Sequence, residues 1–212
     1  MRPRRLALPL LAAVCAVASG SLFVSSGVEA TFADQNRITV SVHAGYWAPA
    51  QCAGMTYSMK FLGTDADDVY AGGNRSQLIL GLPGDDELSG GNSDDCIDGG
   101  TGNNRLFGNN GSDVIVAGDG NNYVDTGNAN DEVVLGDGDN TVVTGNGTDS
   151  TTLGNGSNTF AGGTGNDVVH VGTGYNNRID GGKGTNVCYL PQPLPYHGDE
   201  VTNCTVKLVG TG

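Results

Sequence analysis

The sequence predicts an all-β fold: a flattened, right-handed parallel β-roll (a β-solenoid) of 18-residue coils with an N-terminal and a C-terminal cap. Three observations carry that prediction. A nine-residue frame, GGxGxDxUx with U apolar, runs over residues 62–189. Glycine supplies 36 of the 212 residues without a Gly-X-Y period, which excludes collagen and argues against a compact helical domain. At the sixth place of the frame Asp and Asn alternate from unit to unit over most of the run, so the full period is two units, or 18 residues.

The chain opens with Arg2, Arg4 and Arg5, an apolar run, and small residues ending at Val28-Glu29-Ala30. That order predicts a secretory signal peptide, residues 1–30, cut after Ala30. Ser19, Gly20 and Ser21 interrupt the apolar run, which disfavours a retained anchor, and no later stretch is apolar enough for membrane insertion. The formal net charge is −13, and removing residues 1–30 takes away three Arg and Glu29 to leave −15. Such a charge argues against nucleic acid or an anionic membrane as partner and is compatible with cations. Cys15 leaves with the signal, and Cys52, Cys96, Cys188 and Cys204 form an even set, which predicts two disulfides with three possible pairings in a secreted, extracellular protein. Residues 31–61 contain the alternating run Arg37-Ile38-Thr39-Val40-Ser41-Val42 and then TYSMKFLG; they are expected to cap the open end of the solenoid, with Tyr46 and Trp47 packed in that cap.

Residues 62–189 divide into fourteen units, with one inserted residue near Leu80 and another near Asn177. The eighth place begins with Val69, Leu78, Leu88, Ile97 and Leu106 and stays apolar except at Thr151; Cys188 closes it. Each unit is a six-residue turn followed by a three-residue strand. Glycine at the second and fourth places allows positive φ and close backbone approach, and the strand turns one side chain inward. Two turns facing opposite ways close one coil, and stacked coils bury the inward stripe between two parallel sheets. Ala117, Leu135, Leu153 and Val171 form a second inward stripe.

Units such as GGNSDDCID, GNNGSDVIV and GGTGNDVVH resemble the RTX (repeats-in-toxin) calcium-binding nonapeptide family, and the resemblance covers about 128 residues. It implies a parallel β-roll in which each calcium ion lies between turns stacked on one edge, held by sixth-place aspartates and backbone carbonyls. A hard cation of that size takes oxygen ligands from adaptable loops. The implied Ca2+ ligands are Asp95, Asp113, Asp131, Asp149 and Asp167, with Asp67 and Asp86 as a further pair. The flanks around QCAGM and GLPGDDELSGG are similar to those of secreted bacterial chains of RTX type.

Because alternate units face opposite edges, Asp95, Asp113, Asp131, Asp149 and Asp167 fall on one edge, and Asn104, Asn122, Asn140, Asn158 and Asn176 on the other. Carboxylates about 5 Å apart repel by roughly 1 kcal/mol in water and about 3 at an effective dielectric of 20, so a row of them calls for cations. Stacked asparagines carry no charge and can bond along the stack as a ladder, so their edge can close without metal. The four gaps in the aspartate row imply four sites, with Ser76 and Asn186 weakening its two ends, and Asp67 and Asp86 hold one ion between them.

Residues 190–212 break the repeat with Pro191, Pro193 and Pro195 and are expected to form the C-terminal cap, pinned by Cys188–Cys204, which leaves Cys52–Cys96 to tie the N-terminal cap to the fourth unit. Enzyme signatures are missing: there is no HExxH, GxSxG or CxxC, and His43, His170 and His197 are far apart. The sequence therefore reads as a secreted, non-enzymatic calcium-binding roll whose folding is coupled to extracellular calcium, with a structural or cell-surface interaction role. The alternative is an ice- or surface-binding solenoid using Thr141, Val143, Thr159 and Ala161 on one sheet and Ser150 and Thr152 on the other.

Overall fold

The computed structural model describes residues 49–191 and 198–209 in full, and the backbone of 29–32 and 38–41. The chain forms two units, Met1–Ala44 and Gly45–Gly212. In the first, β1 (Glu29–Phe32) pairs antiparallel with β2 (Ile38–Ser41). The expected signal segment lies outside the described residues except for its last two positions, which fall in β1; Tyr46 and Trp47 lie outside them as well.

The second unit is a solenoid of about eight coils, almost without helix. Nine strands form one parallel sheet: β3 (Met59–Leu62), β5 (Gln77–Leu80), β7 (Cys96–Asp98), β9 (Val114–Ala117), β11 (Glu132–Leu135), β13 (Ser150–Leu153), β15 (Val168–Val171), β17 (Val187–Pro191) and β19 (Thr205–Val209). Eight form the other: β4 (Val69–Ala71), β6 (Glu87–Asn92), β8 (Arg105–Asn110), β10 (Tyr123–Asn128), β12 (Thr141–Val143), β14 (Thr159–Ala161), β16 (Arg178–Asp180) and β18 (Glu200–Thr202). From β5 onward each strand pairs with the strand two earlier, so the chain passes from sheet to sheet at every turn.

The register fixes the frame. Phe61 lies beside Ile79, Ile79 beside Ile97 and Ile97 beside Ile115, an offset of 18 at each step. No residue is inserted near Leu80, contrary to expectation. The first two units are therefore one residue out of the expected phase: Val69 is 80% exposed, while Tyr70 and Ile79 turn to the core. Leu78 is nonetheless buried, on the other face of β5, where the Cys52–Cys96 bond holds the preceding segment against the Leu78–Cys96 pair. Three consecutive apolar residues, Leu78-Ile79-Leu80, make the inward position ambiguous in sequence. The second expected insertion is present: the offset becomes 19 between Phe160 and Ile179, and Asn176, at φ 58°, takes up the extra residue.

From Leu88 onward the inward stripe is as expected, with Leu88, Ile97, Leu106, Ile115, Val124 and Val133 fully buried. Ala117, Leu135, Leu153 and Val171 are buried beside it. Both expected disulfides are present, with Cα atoms 6.0 Å apart for Cys52–Cys96 and 5.8 Å for Cys188–Cys204. The sheets run past the expected bounds of the roll at both ends. At the front, β3 begins at Met59; at the back, β18 and β19 continue the two sheets through residues 200–209, so that much of the expected cap is a further coil. No helix among the described residues is long and apolar enough to cross a membrane.

Candidate metal centre

Each aspartate of the row stands at the end of a turn, immediately before its strand, and one of its side-chain oxygens is used to hold the stack. Asp113 Oδ1 accepts the Asp95 N–H at 2.8 Å, Asp131 Oδ1 that of Asp113 at 2.8 Å, Asp149 Oδ1 that of Asp131 at 2.9 Å, and Asp167 Oδ1 that of Asp149 at 3.0 Å. All five aspartates, Asp95 included, are at most 3% exposed. Their second oxygens have no partner: Oδ2 of Asp95, Asp113, Asp131, Asp149 and Asp167 is buried and unbonded, as is Oδ2 of Asp86. A buried acceptor left without a donor costs about 1–3 kcal/mol, more when charged.

Burial pushes these carboxyls up, Asp113 to about 8, Asp131 to about 7, and Asp95 and Asp149 to about 6. Asp167 and Asp86 move the same way for the same cause. The backbone N–H bonds pull in the opposite direction, as do the nearby side chains of Gln77 at Asp95, Thr126 at Asp131 and Thr144 at Asp149, none of which meets an Oδ2 in hydrogen-bonding geometry; neighbouring carboxylates add to the rise, Asp131 and Asp95 acting on Asp113. The row carries more negative charge than its surroundings solvate.

The opposite edge has no such deficit along its asparagines. The backbone N–H groups of Asn104, Asn122 and Asn140 each donate to the next asparagine's Oδ1 at 3.1 Å. Their Nδ2 groups donate to the same oxygens at 3.1, 3.1 and 3.2 Å. The remaining amide capacity goes to the turn's own carbonyls, as from Asn122 to Gly118 O at 3.3 Å and Gly120 O at 3.1 Å.

The phase shift changes which residues meet. Asp68, not Asp67, stacks on Asp86, its N–H donating to Asp86 Oδ1 at 2.8 Å. Asp67 Oδ1 instead accepts the Asp85 N–H at 2.9 Å on the exposed side of the turn. Gln77 rather than Ser76 heads the aspartate row, and Asn177 rather than Asn176 continues the asparagine row, which ends on Asp199 at 2.8 Å. An unbroken count of 18 back from Asp86 and Asp95 finds Asp68 and Gln77; Asp199 carries no such signal, because it lies 22 residues after Asn177.

Among the described residues no three His, Cys, Asp or Glu side chains converge on one point. A cation in this row would therefore be held by carboxylates of successive coils with backbone carbonyls, a set that suits calcium. Glycine at the first place of the Asp95, Asp113 and Asp167 units leaves room for the carboxylate, whereas the Asp131 and Asp149 units have Thr126 and Thr144 there. A Cβ on Gly162 would lie 2.6 Å from both Asp167 Oδ2 and the Gly181 carbonyl oxygen, and one on Gly90 would lie 2.5 Å from Asp95 Oδ2. The unpartnered oxygens and the oxygen-only surroundings fit Ca2+, which would supply the missing positive charge.

The family model for the RTX calcium-binding nonapeptide repeat matches eight overlapping segments: residues 62–95, 71–106, 98–133, 107–142, 118–151, 134–169, 152–174 and 171–190. No curated protein matches the chain.

Proposed function

The chain belongs to the RTX calcium-binding nonapeptide-repeat family, and from that premise we propose that it is a secreted, non-enzymatic calcium-binding β-roll whose folding is coupled to extracellular calcium and which serves a structural or cell-surface interaction role. The observation that carries this reading is the row of five buried carboxylate oxygens without a hydrogen-bond partner, Oδ2 of Asp95 through Asp167. Asp68 and Asp86 provide a smaller acidic pair at the front of the opposite edge. When bound, calcium neutralises the row; the chain's own part is to hold the carboxylates in line through the Oδ1 bonds and to exclude water from behind them. Two disulfides and the leader-like N-terminus support secretion. Calorimetric calcium titration, with circular dichroism recorded in parallel, tests the reading; absence of binding heat and an unchanged spectrum in EDTA would refute it.

The ice- or surface-binding alternative has less support. Thr141 lies beside Thr159 and Val143 beside Ala161, but this flat strip is two coils tall and ends at Tyr123 and Asp125 on one side and at Arg178 and Asp180 on the other. A thermal-hysteresis assay separates the two readings.

A further inference from the structure

We propose that calcium is taken only where sixth-place aspartates stack on one another, that the asparagine edge from Asn104 to Asn177 is a metal-free hydrogen-bonded spine, and that a stacked pair of carboxylates, not a single one, decides this turn by turn. The proposal rests on the calcium-binding reading and adds to it where the ions are excluded.

Three observations support it. Along the spine, the carbonyls that a cation would need are already taken by amide hydrogens: Asn140 Nδ2 donates to Gly136 O at 3.2 Å and Gly138 O at 3.1 Å, and Asn158 Nδ2 to Gly154 O at 3.1 Å. An N–H aimed into the turn presents positive charge where a ligand oxygen should be. The first place of the frame differs between the edges as well. On the spine it is Gly99 in the Asn104 unit and then buried and apolar, at Ala117, Leu135, Leu153 and Val171. On the aspartate edge it is Gly90, Gly108 or Gly162, or a threonine whose hydroxyl bonds the next coil: Thr126 Oγ1 donates to Thr144 O at 2.8 Å, and Thr144 Oγ1 to Gly162 O at 3.0 Å. From Asn122 onward the spine has apolar side chains behind the turn, whereas the aspartate edge has glycine or a threonine hydroxyl there.

The aspartate row also shows what an amide does in its own setting. It is bounded by Gln77 and Asn186. Gln77 Nε2 donates to Gly90 O at 2.7 Å, and Asn186 Nδ2 donates to Gly181 O at 2.7 Å and Asn203 O at 3.1 Å. Neither end residue leaves a buried atom unpartnered. An amide at the sixth place is thus self-sufficient on both edges, and a carboxylate is not.

The test is a triple variant of the full chain, Asp113→Asn, Asp131→Asn and Asp149→Asn, compared with the parent by calorimetric calcium titration and by melting in EDTA. Each of the four gaps in the row contains at least one of these residues, so the variant should bind four fewer ions. Its melting temperature in EDTA should rise, because three unpartnered oxygens become donors facing carbonyls or hydroxyls. Equal stoichiometry in parent and variant would overturn the proposal by placing the ions elsewhere. A parent that binds no calcium would overturn the underlying reading instead. Two single variants keep the test open if the triple variant does not fold: Asp131→Asn should weaken two sites together, and Asn140→Asp should add none. An added site of parental affinity in Asn140→Asp would refute the one-sided arrangement.

Discussion

At the sixth place of the repeat, one atom separates two kinds of turn. Aspartate and asparagine both offer Oδ1 to the backbone N–H of the preceding coil, but Nδ2 finds acceptors in the turn and Oδ2 finds no donor. Asn140→Asp should therefore destabilise the protein. It replaces a donor to Gly136 O, Gly138 O and Asn158 Oδ1 with an acceptor, at a cost of at least about 1–3 kcal/mol, measurable by denaturant unfolding. The raised carboxyls give a pH dependence with a definite sign. Because the folded-state values of Asp95, Asp113, Asp131 and Asp149 lie at about 6 to 8, above the ordinary carboxylate value, the metal-free fold binds more protons than the unfolded chain. Their contribution is fully present below about pH 4 and is lost as pH rises through the folded-state values. Metal-free melting temperature should fall between about pH 4 and pH 8, while calcium affinity rises over the same span with release of protons. Titrations in buffers of different ionisation enthalpy read that proton release directly.

Coils are the elements of this fold, and each is stabilised by its neighbours rather than by itself. The disulfides act where a neighbour is lacking. Cys52–Cys96 closes 44 residues and fastens the segment before β3 to the second strand behind it; by loop entropy it is worth up to about 4 kcal/mol. A Cys52→Ser, Cys96→Ser variant should unfold at lower denaturant concentration and show earlier amide exchange over residues 59–80. Most of this element structure was legible in the sequence. The nine-residue frame, the alternation of edges and the inward stripe from Leu88 to Cys188 follow from spacing alone. The first two units were misphased by one because Leu78-Ile79-Leu80 offers three apolar candidates and Asp67-Asp68 two acidic ones. The last coil was hidden because β18 lies 22 residues after its partner β16, although β19 keeps the 18-residue offset from β17. Which carboxylate oxygen would be left without a partner depends on Oδ1 serving the stack, and no spacing rule reports that.

Across the whole molecule, the negative charge is organised as well as abundant. A net charge of −13 spread over a surface favours solubility, but the buried row concentrates part of it along one edge with its second oxygens unsatisfied. A ligand that binds only the folded chain raises stability with its concentration, so calcium should act on the entire roll, shifting one cooperative transition rather than loosening a single loop. The most direct measurement is the melting temperature followed by far-UV circular dichroism as free calcium is raised from EDTA-buffered to millimolar levels. Coupling through the aspartate row predicts a sheet signal that strengthens and a midpoint that climbs with the logarithm of calcium concentration. A spectrum and midpoint identical in EDTA and in millimolar calcium would contradict it.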